Sequence, residues 1–261
     1  MRYLCICGCY RSGTTAIVNV LNKVDNILVC DELWYFKNDI AFSINSREKF
    51  YYALQNHNEL IGRRCVSKSV LKGNYGKFYK HFLNKDSYTR EEVRDKLIEL
   101  TKGKVDIFGD KLPEYTLDLK TIKDRWNPKI IMCLRDGRDV IAAQILRYRY
   151  YMERHNSIGN HWWTKPSIEE CLNMPHNWLY YIKTWYMTKP KLDDYFELKY
   201  WKANRQTKEL ADFLEVDCKQ LKEAFDKEWN PKIGTWKEYF PDINEKLPEE
   251  WKEMIGKINR D

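Results

Sequence analysis

The sequence predicts a single α/β domain with a mainly parallel central sheet flanked by helices, and three observations carry that prediction. A short apolar run, Arg2 to Cys9, ends in a glycine-bearing loop and passes directly into a helical pattern from Thr14 to Lys23. A second apolar run, Lys129 to Leu134, does the same and leads into a helical pattern from Asp139 to Arg154. Strand and helix patterns keep alternating along the rest of the chain, which is the arrangement that parallel pairing through crossovers requires.

Each element follows from its residues. Ile17, Val18, Val20 and Leu21 repeat at helical spacing after the first strand, and Asn26 to Cys30 is short and apolar enough for a second strand. The aromatic segment from Leu33 to Leu60 has no clean period and reads as helices and loops over the sheet. Lys102 to Gly109 is the third strand expected, and Tyr195 to Tyr200 is a further one. Leu210, Ala211, Phe213 and Leu214 place a packed helix over Asn204 to Leu214. Gly159 to Pro175, with Trp162, Trp163, Pro166 and Pro175, reads as an irregular insertion, so residues 1–261 are taken as one domain with a lid at 155–176. In such a fold ligands sit at the carboxyl ends of the strands.

Composition narrows the function classes. With 43% hydrophobic and 32% charged residues the chain has the balance of a folded globular protein rather than a disordered one. A formal net charge of +7 suits an anionic partner, yet Lys and Arg are dispersed, with no dense block and no zinc-finger or RNP-like spacing, so nucleic acid is not expected. The 10 Trp and 18 Tyr cluster at Leu33 to Phe36, Phe50 to Tyr52, Tyr148 to Tyr151, Trp162-Trp163 and Trp178 to Trp185, where they serve either as the roof of a cleft or as amphipathic core residues. Eight Cys show no paired CxxC spacing and no adjacent His to complete a metal site. Cys5, Cys7 and Cys9 alternate onto one strand face as small buried hydrophobes of a reducing compartment. No apolar stretch approaches the ~20 residues that span a bilayer, and the chain enters a strand at once, so the expectation is a soluble cytoplasmic protein.

The chemistry is concentrated where strands meet helices. Gly8-Cys9-Tyr10-Arg11-Ser12-Gly13-Thr14-Thr15 joins the first strand to the first helix, so its amide groups and the helix N-terminus converge on an anion. A nucleotide triphosphatase loop reads G-x-x-x-x-G-K-[ST]; here Thr14 stands where the Lys belongs and Arg11 moves the positive charge elsewhere. Arg135-Asp136-Gly137-Arg138-Asp139-Val140 makes a second cationic corner after the strand Ile130 to Leu134. Two such corners on one sheet edge suggest a ligand with two anionic ends. Asp31-Glu32 and Gly109-Asp110-Lys111-Leu112-Pro113 each close a predicted strand; alone, they would read as an acidic turn and a common loop.

Together these segments resemble the sulfotransferases that use 3′-phosphoadenosine 5′-phosphosulfate (PAPS), closest to the branch with tyrosylprotein and many bacterial members. The resemblance runs from about Arg2 to Phe240. It implies that Arg11, Ser12, Gly13, Thr14 and Thr15 hold the 5′ end of the donor and that Arg135 and Arg138 hold its 3′-phosphate. Glu32 then acts as general base, while Lys111, helped by Arg11, stabilises the leaving oxygen as adenosine 3′,5′-bisphosphate (PAP) departs. In-line sulfuryl transfer of this kind spreads charge over equatorial oxygens and demands no metal. The family Ser eight residues after the first Arg is Ala143 here, and Gln144 beside it is the expected substitute. The family segment Tyr-Glu-Asp-Leu reads Lys199-Tyr200-Trp201-Lys202, and Pro231 to Lys237 resembles the terminal Gly-x-Trp segment, making Lys232 and Trp236 cofactor contacts. The acceptor is a hydroxyl on a small molecule, a sugar or a peptide tyrosine. Of the five His, none stands in a motif; His57 is the alternative base. Two other readings stay open: a P-loop kinase or NTPase without its Lys, and a non-catalytic PAP or PAPS binder.

Overall fold

The computed structural model describes residues 2–32, 35–36, 95, 105–159 and 163–260. Among the described residues five strands form one sheet: β1 (Arg2–Gly8), β2 (Ile27–Asp31), β3 (Ile107–Lys111), β4 (Lys129–Leu134) and β5 (Tyr195–Lys199). Their order is β2-β3-β1-β4-β5, and every pairing is parallel. The described connections, from β1 to β2, β3 to β4 and β4 to β5, carry helices, as crossovers in a parallel sheet require.

Both faces of the sheet are covered. Leu4, Ile6, Ile27, Val29, Ile107 and Ile131 point to one side, against α1 (Thr14–Leu21), α6 (Thr207–Leu214) and α7 (Cys218–Glu228). Cys5, Cys7, Leu28, Phe108, Ile130 and Met132 point to the other. There they meet α2 (Leu119–Trp126), α3 (Gly137–His155), α4 (Ile168–Leu172), α5 (Trp178–Thr188) and the C-terminal α9 (Ile243–Lys246) and α10 (Glu249–Arg260). Period-two alternation thus gives each strand two apolar faces. Cys5, Cys7 and Cys9 share the second face as expected, and they are free thiols.

Three boundaries differ from the sequence reading. β3 begins at Ile107 rather than Lys102 and continues through Asp110 and Lys111, because both residues stay in register with β1 and β2. Two charged residues in a central strand look like a turn in sequence, and only paired partners reveal that they are sheet. The expected helix at Asn204 starts as a 3-10 turn, Tyr200–Gln206, before α6. The insertion expected to be irregular contains α4, whose N-cap Ser167 accepts from Glu170 N–H. Leu33 to Leu60 lies outside the described residues except for Tyr35 and Phe36, as do His57, His81 and His161. His155 and His176 are exposed. Among the described residues no helix is long and apolar enough to cross a membrane.

Candidate active site at the carboxyl edge of the sheet

The chain leaves β1 at Gly8 through a very tight passage. A Cβ at Gly8 would stand 2.7 Å from the Cys133 carbonyl oxygen of β4, and the Gly8 N–H donates to Thr116 Oγ1 at 3.0 Å. Arg11 and Gly13 then take positive φ, 67° and 90°, and turn the chain into α1. Gly13 also lies flat on Tyr200: an added Cβ would come within 2.5 Å of the ring. No side chain caps α1, and the Ser12 hydroxyl is buried with no hydrogen-bond partner. A helix start with open donors and an orphaned hydroxyl is a fit for an anion.

The second motif folds against this loop. Arg135, 6% exposed, donates from Nη1 to the Arg11 carbonyl at 2.8 Å and from Nη2 to the Lys232 carbonyl at 2.7 Å. Its guanidinium lies 4.4 Å over the Tyr200 ring, and the Tyr200 hydroxyl accepts from Lys232 N–H at 3.1 Å. The two cationic motifs are therefore in contact, not merely on the same edge. Arg138 is engaged differently: it bonds Asp136 through Nε and Nη2 at 2.9 and 2.6 Å, and stacks 4.3 Å over Trp236. Asp139 accepts from Gly234 N–H at 3.0 Å and Trp236 N–H at 3.4 Å, holding the start of α8 (Thr235–Tyr239). Gln144 is buried in α3 and Ala143 is half-buried.

Sequence reasoning missed Arg147. It sits one helical turn beyond Ala143, on the same face of α3. It lies over Tyr151 at 4.5 Å and Tyr150 at 4.9 Å, and its Nε is buried without a partner. Burial, then the charges of Arg147 and Arg135, push the Arg11 guanidinium below its usual pKa although Arg11 keeps an exposed face. Three guanidiniums thus crowd one place, and none of the ion pairs among the described residues includes Arg11, Arg135 or Arg147.

Toward the other edge, the Lys111 Nζ at the end of β3 donates to Glu32 Oε1, just past β2, at 2.8 Å. Lys111 is 2% exposed while the Glu32 side chain is 54% exposed, so a buried cation meets a carboxylate that still reaches solvent. Glu32 holds φ of 63° and donates its N–H to the Lys111 carbonyl at 2.7 Å. Beneath Arg11, the Tyr10 ring stacks on Trp163 at 6.2 Å and its hydroxyl donates to Glu114. Arg11 Cζ lies 5.6 Å from the Trp163 ring centre, so Trp163 touches the loop.

A family model described as a sulfotransferase family matches residues 4–220 of this chain. No curated protein sequence matches it. Among solved structures, the chain is similar to sulfotransferase STF1 from Mycobacterium tuberculosis H37Rv, at 12% identity and a TM-score of 0.50, over 97% of this chain and 76% of that one. It is also similar to sulfotransferase STF9 from Mycobacterium avium, at 11% identity and a TM-score of 0.47, over 94% of this chain and 76% of that one. The first likeness speaks to the fold alone. Lys232, Gly234, Trp236, Asn244 and Asn259 all lie past the matched residues, yet each bonds or stacks on the Arg135 to Asp139 segment.

Proposed function

We propose, from the premise that this chain belongs to the PAPS-dependent sulfotransferase family, that it moves the sulfuryl group to an acceptor hydroxyl with Glu32 as base and Lys111 as the cation on the leaving oxygen. PAPS supplies the activated sulfuryl group and leaves as PAP. The open donors of α1, Ser12, Thr14 and Thr15 form a P-loop-like cradle for its 5′ end, with Arg11 beside them. Arg135 takes the 3′-phosphate, and Arg147 stands in for the hydroxyl that Ala143 lacks. Arg138, Gln144, Lys232 and Trp236 remain cofactor contacts in this reading; Arg138 and Trp236 act as one stacked unit. Trp163, from the expected lid, covers the loop at Tyr10 and Arg11.

One observation carries the assignment of chemistry: the 2.8 Å contact between Lys111 and Glu32 beside the loop. Glu32 accepts the acceptor's proton as the new S–O bond forms, and Lys111 offsets charge on the phosphate oxygen as the old S–O bond breaks. The six buried free cysteines among the described residues suit a reducing compartment such as the cytoplasm. The kinase or NTPase alternative falls with the family assignment.

The test is PAP release from PAPS against a panel of phenols, sugars and tyrosine peptides. Glu32→Gln and Lys111→Ala are each expected to lower kcat by on the order of 100-fold or more while PAP still binds. Full turnover in both variants rejects the base and cation roles, and PAP binding with no release on any acceptor favours a non-catalytic binder.

A further inference from the structure

The turn bearing Glu32 is held by residues the chemistry itself does not use. Glu32 lies in the left-handed region, which a residue with a Cβ enters only at a steric cost, and its side chain, bonded to Lys111, is half exposed. Strain of this kind persists when the surrounding structure over-determines it. Here the constraint arrives on both sides of Glu32 along the chain. Before it, β2 pairs with β3, with Asp31 opposite Lys111. After it, Tyr35 N–H donates to Asp110 Oδ2 at 3.0 Å, and Phe36 N–H donates to the Tyr115 hydroxyl at 3.1 Å. The Tyr115 hydroxyl in turn donates to the same Asp110 oxygen.

The proton order of this network is fixed. Both backbone groups can only donate, so Asp110 must accept twice, and Tyr115 must accept once and donate once. Burial, then the charge of Asp110, pushes the Tyr115 hydroxyl up in pKa and keeps it a donor. Asp110 and Tyr115 are both fully buried, and the rings of Tyr35 and Phe36 pack edge-on against Phe108 at 4.9 Å and at a tilt of 67° against Tyr115 at 5.5 Å. Asp110 and Lys111 are neighbours on β3 and point to opposite faces. One strand end therefore supplies both the cation that Glu32 meets and the carboxylate that fastens the chain beyond it.

We infer that Asp110 and Tyr115 are positioning residues for Glu32, fixing the backbone at Tyr35 and Phe36 so that the carboxylate stays against Lys111. The inference rests on the reading of Glu32 as base, and the experiment separates the two. Tyr115→Phe removes one hydroxyl and keeps the ring. It is expected to leave PAP affinity within about twofold of wild type and to lower kcat for PAP release, with para-nitrophenol or water as acceptor, on the order of 10- to 100-fold. In the Glu32→Gln background the same change is expected to cost less than about twofold more, because both act through one group. A crystal structure of Tyr115→Phe is expected to have the Glu32 carboxylate away from Lys111.

The inference is overturned if that structure keeps Glu32 left-handed and bonded to Lys111, or if the two kcat losses multiply. If Glu32→Gln keeps full turnover while Tyr115→Phe still displaces Glu32, the base assignment fails and the positioning role stands. Should Tyr115→Phe not fold, Asp110→Asn against Asp110→Ala makes the same comparison. The amide oxygen can still accept from Tyr35 and hold Glu32 in place, whereas the methyl group cannot; equal behaviour of the two variants overturns the inference.

Discussion

Arg135→Lys keeps the charge and removes the geometry. The wild-type guanidinium makes three contacts at once: the Arg11 carbonyl at 2.8 Å, the Lys232 carbonyl at 2.7 Å and the Tyr200 ring at 4.4 Å. An ammonium group can bond one of the two carbonyls and presents no flat face to the ring. The loss is one charge-assisted hydrogen bond, about 1.5–3 kcal/mol, and about half of a desolvated cation–π contact worth about 1–2 kcal/mol, giving roughly 2–4 kcal/mol. At roughly 2–4 °C per kcal/mol for a domain of about this size, Tm falls by about 5–15 °C. Thermal unfolding with and without PAP measures the bracing contacts and tests the proposed anchoring role. PAP at ~100 times its Kd adds about 2.7 kcal/mol to the wild type, or roughly 5–10 °C, and the same PAP concentration is expected to add less than about 2 °C to the variant. A variant that melts with the wild type and gains the full PAP increment refutes the reasoning. A variant that loses stability yet keeps the increment makes Arg135 a brace without an anchoring role.

Gly13→Ala combines a φ of 90° with a Cβ placed 2.5 Å from the Tyr200 ring, so it is expected to destabilise by about 2–4 kcal/mol and to weaken PAP binding; urea unfolding and calorimetric titration check both. Asp136 gives a pH dependence: burial raises its pKa, but the bonds and charge of Arg138 outweigh that and leave it below the usual carboxylate value. A lowered folded pKa contributes stability that is present above the unfolded value of about 3.9 and is lost as pH falls through the folded one. Asp136→Asn is therefore expected to lose stability less steeply than wild type below about pH 4, and a steeper loss in the variant would contradict the pairing.

Much of this arrangement is legible in the residues because local patterns encode it. The strand, glycine loop and helix from Arg2 to Leu21, and the Lys129–Leu134 strand followed by a helix, are written in short apolar runs that end at Gly or Arg. Lys111 and Glu32 stand out by motif, although nothing in the sequence shows that they touch. Asp110 reads as part of a turn because a buried carboxylate is intelligible only once Tyr35 and Tyr115 are seen around it. Tyr200 carries no signal once Tyr-Glu-Asp-Leu fails to match, yet its ring supports Gly13 and Arg135 together. Arg147 has a usable signal, four residues past Ala143 on a helix. The partners of Asp136, Arg138 and Asp139 in the last thirty or so residues are tertiary contacts, which no spacing rule reaches.

Each of the five parallel strands delivers one group to the same rim: the loop from β1, Glu32 from β2, Lys111 from β3, Arg135 from β4 and Tyr200 from β5. Under the proposed assignment of roles, strand alignment is therefore itself a functional variable. A slip of one residue would carry a rim group about 3.3 Å along its strand and turn the preceding side chains to the other face. Substitutions deep in Ile6, Ile131 or Phe108 can thus silence the enzyme while the fold survives, and disabling changes need not cluster around the place where reaction occurs.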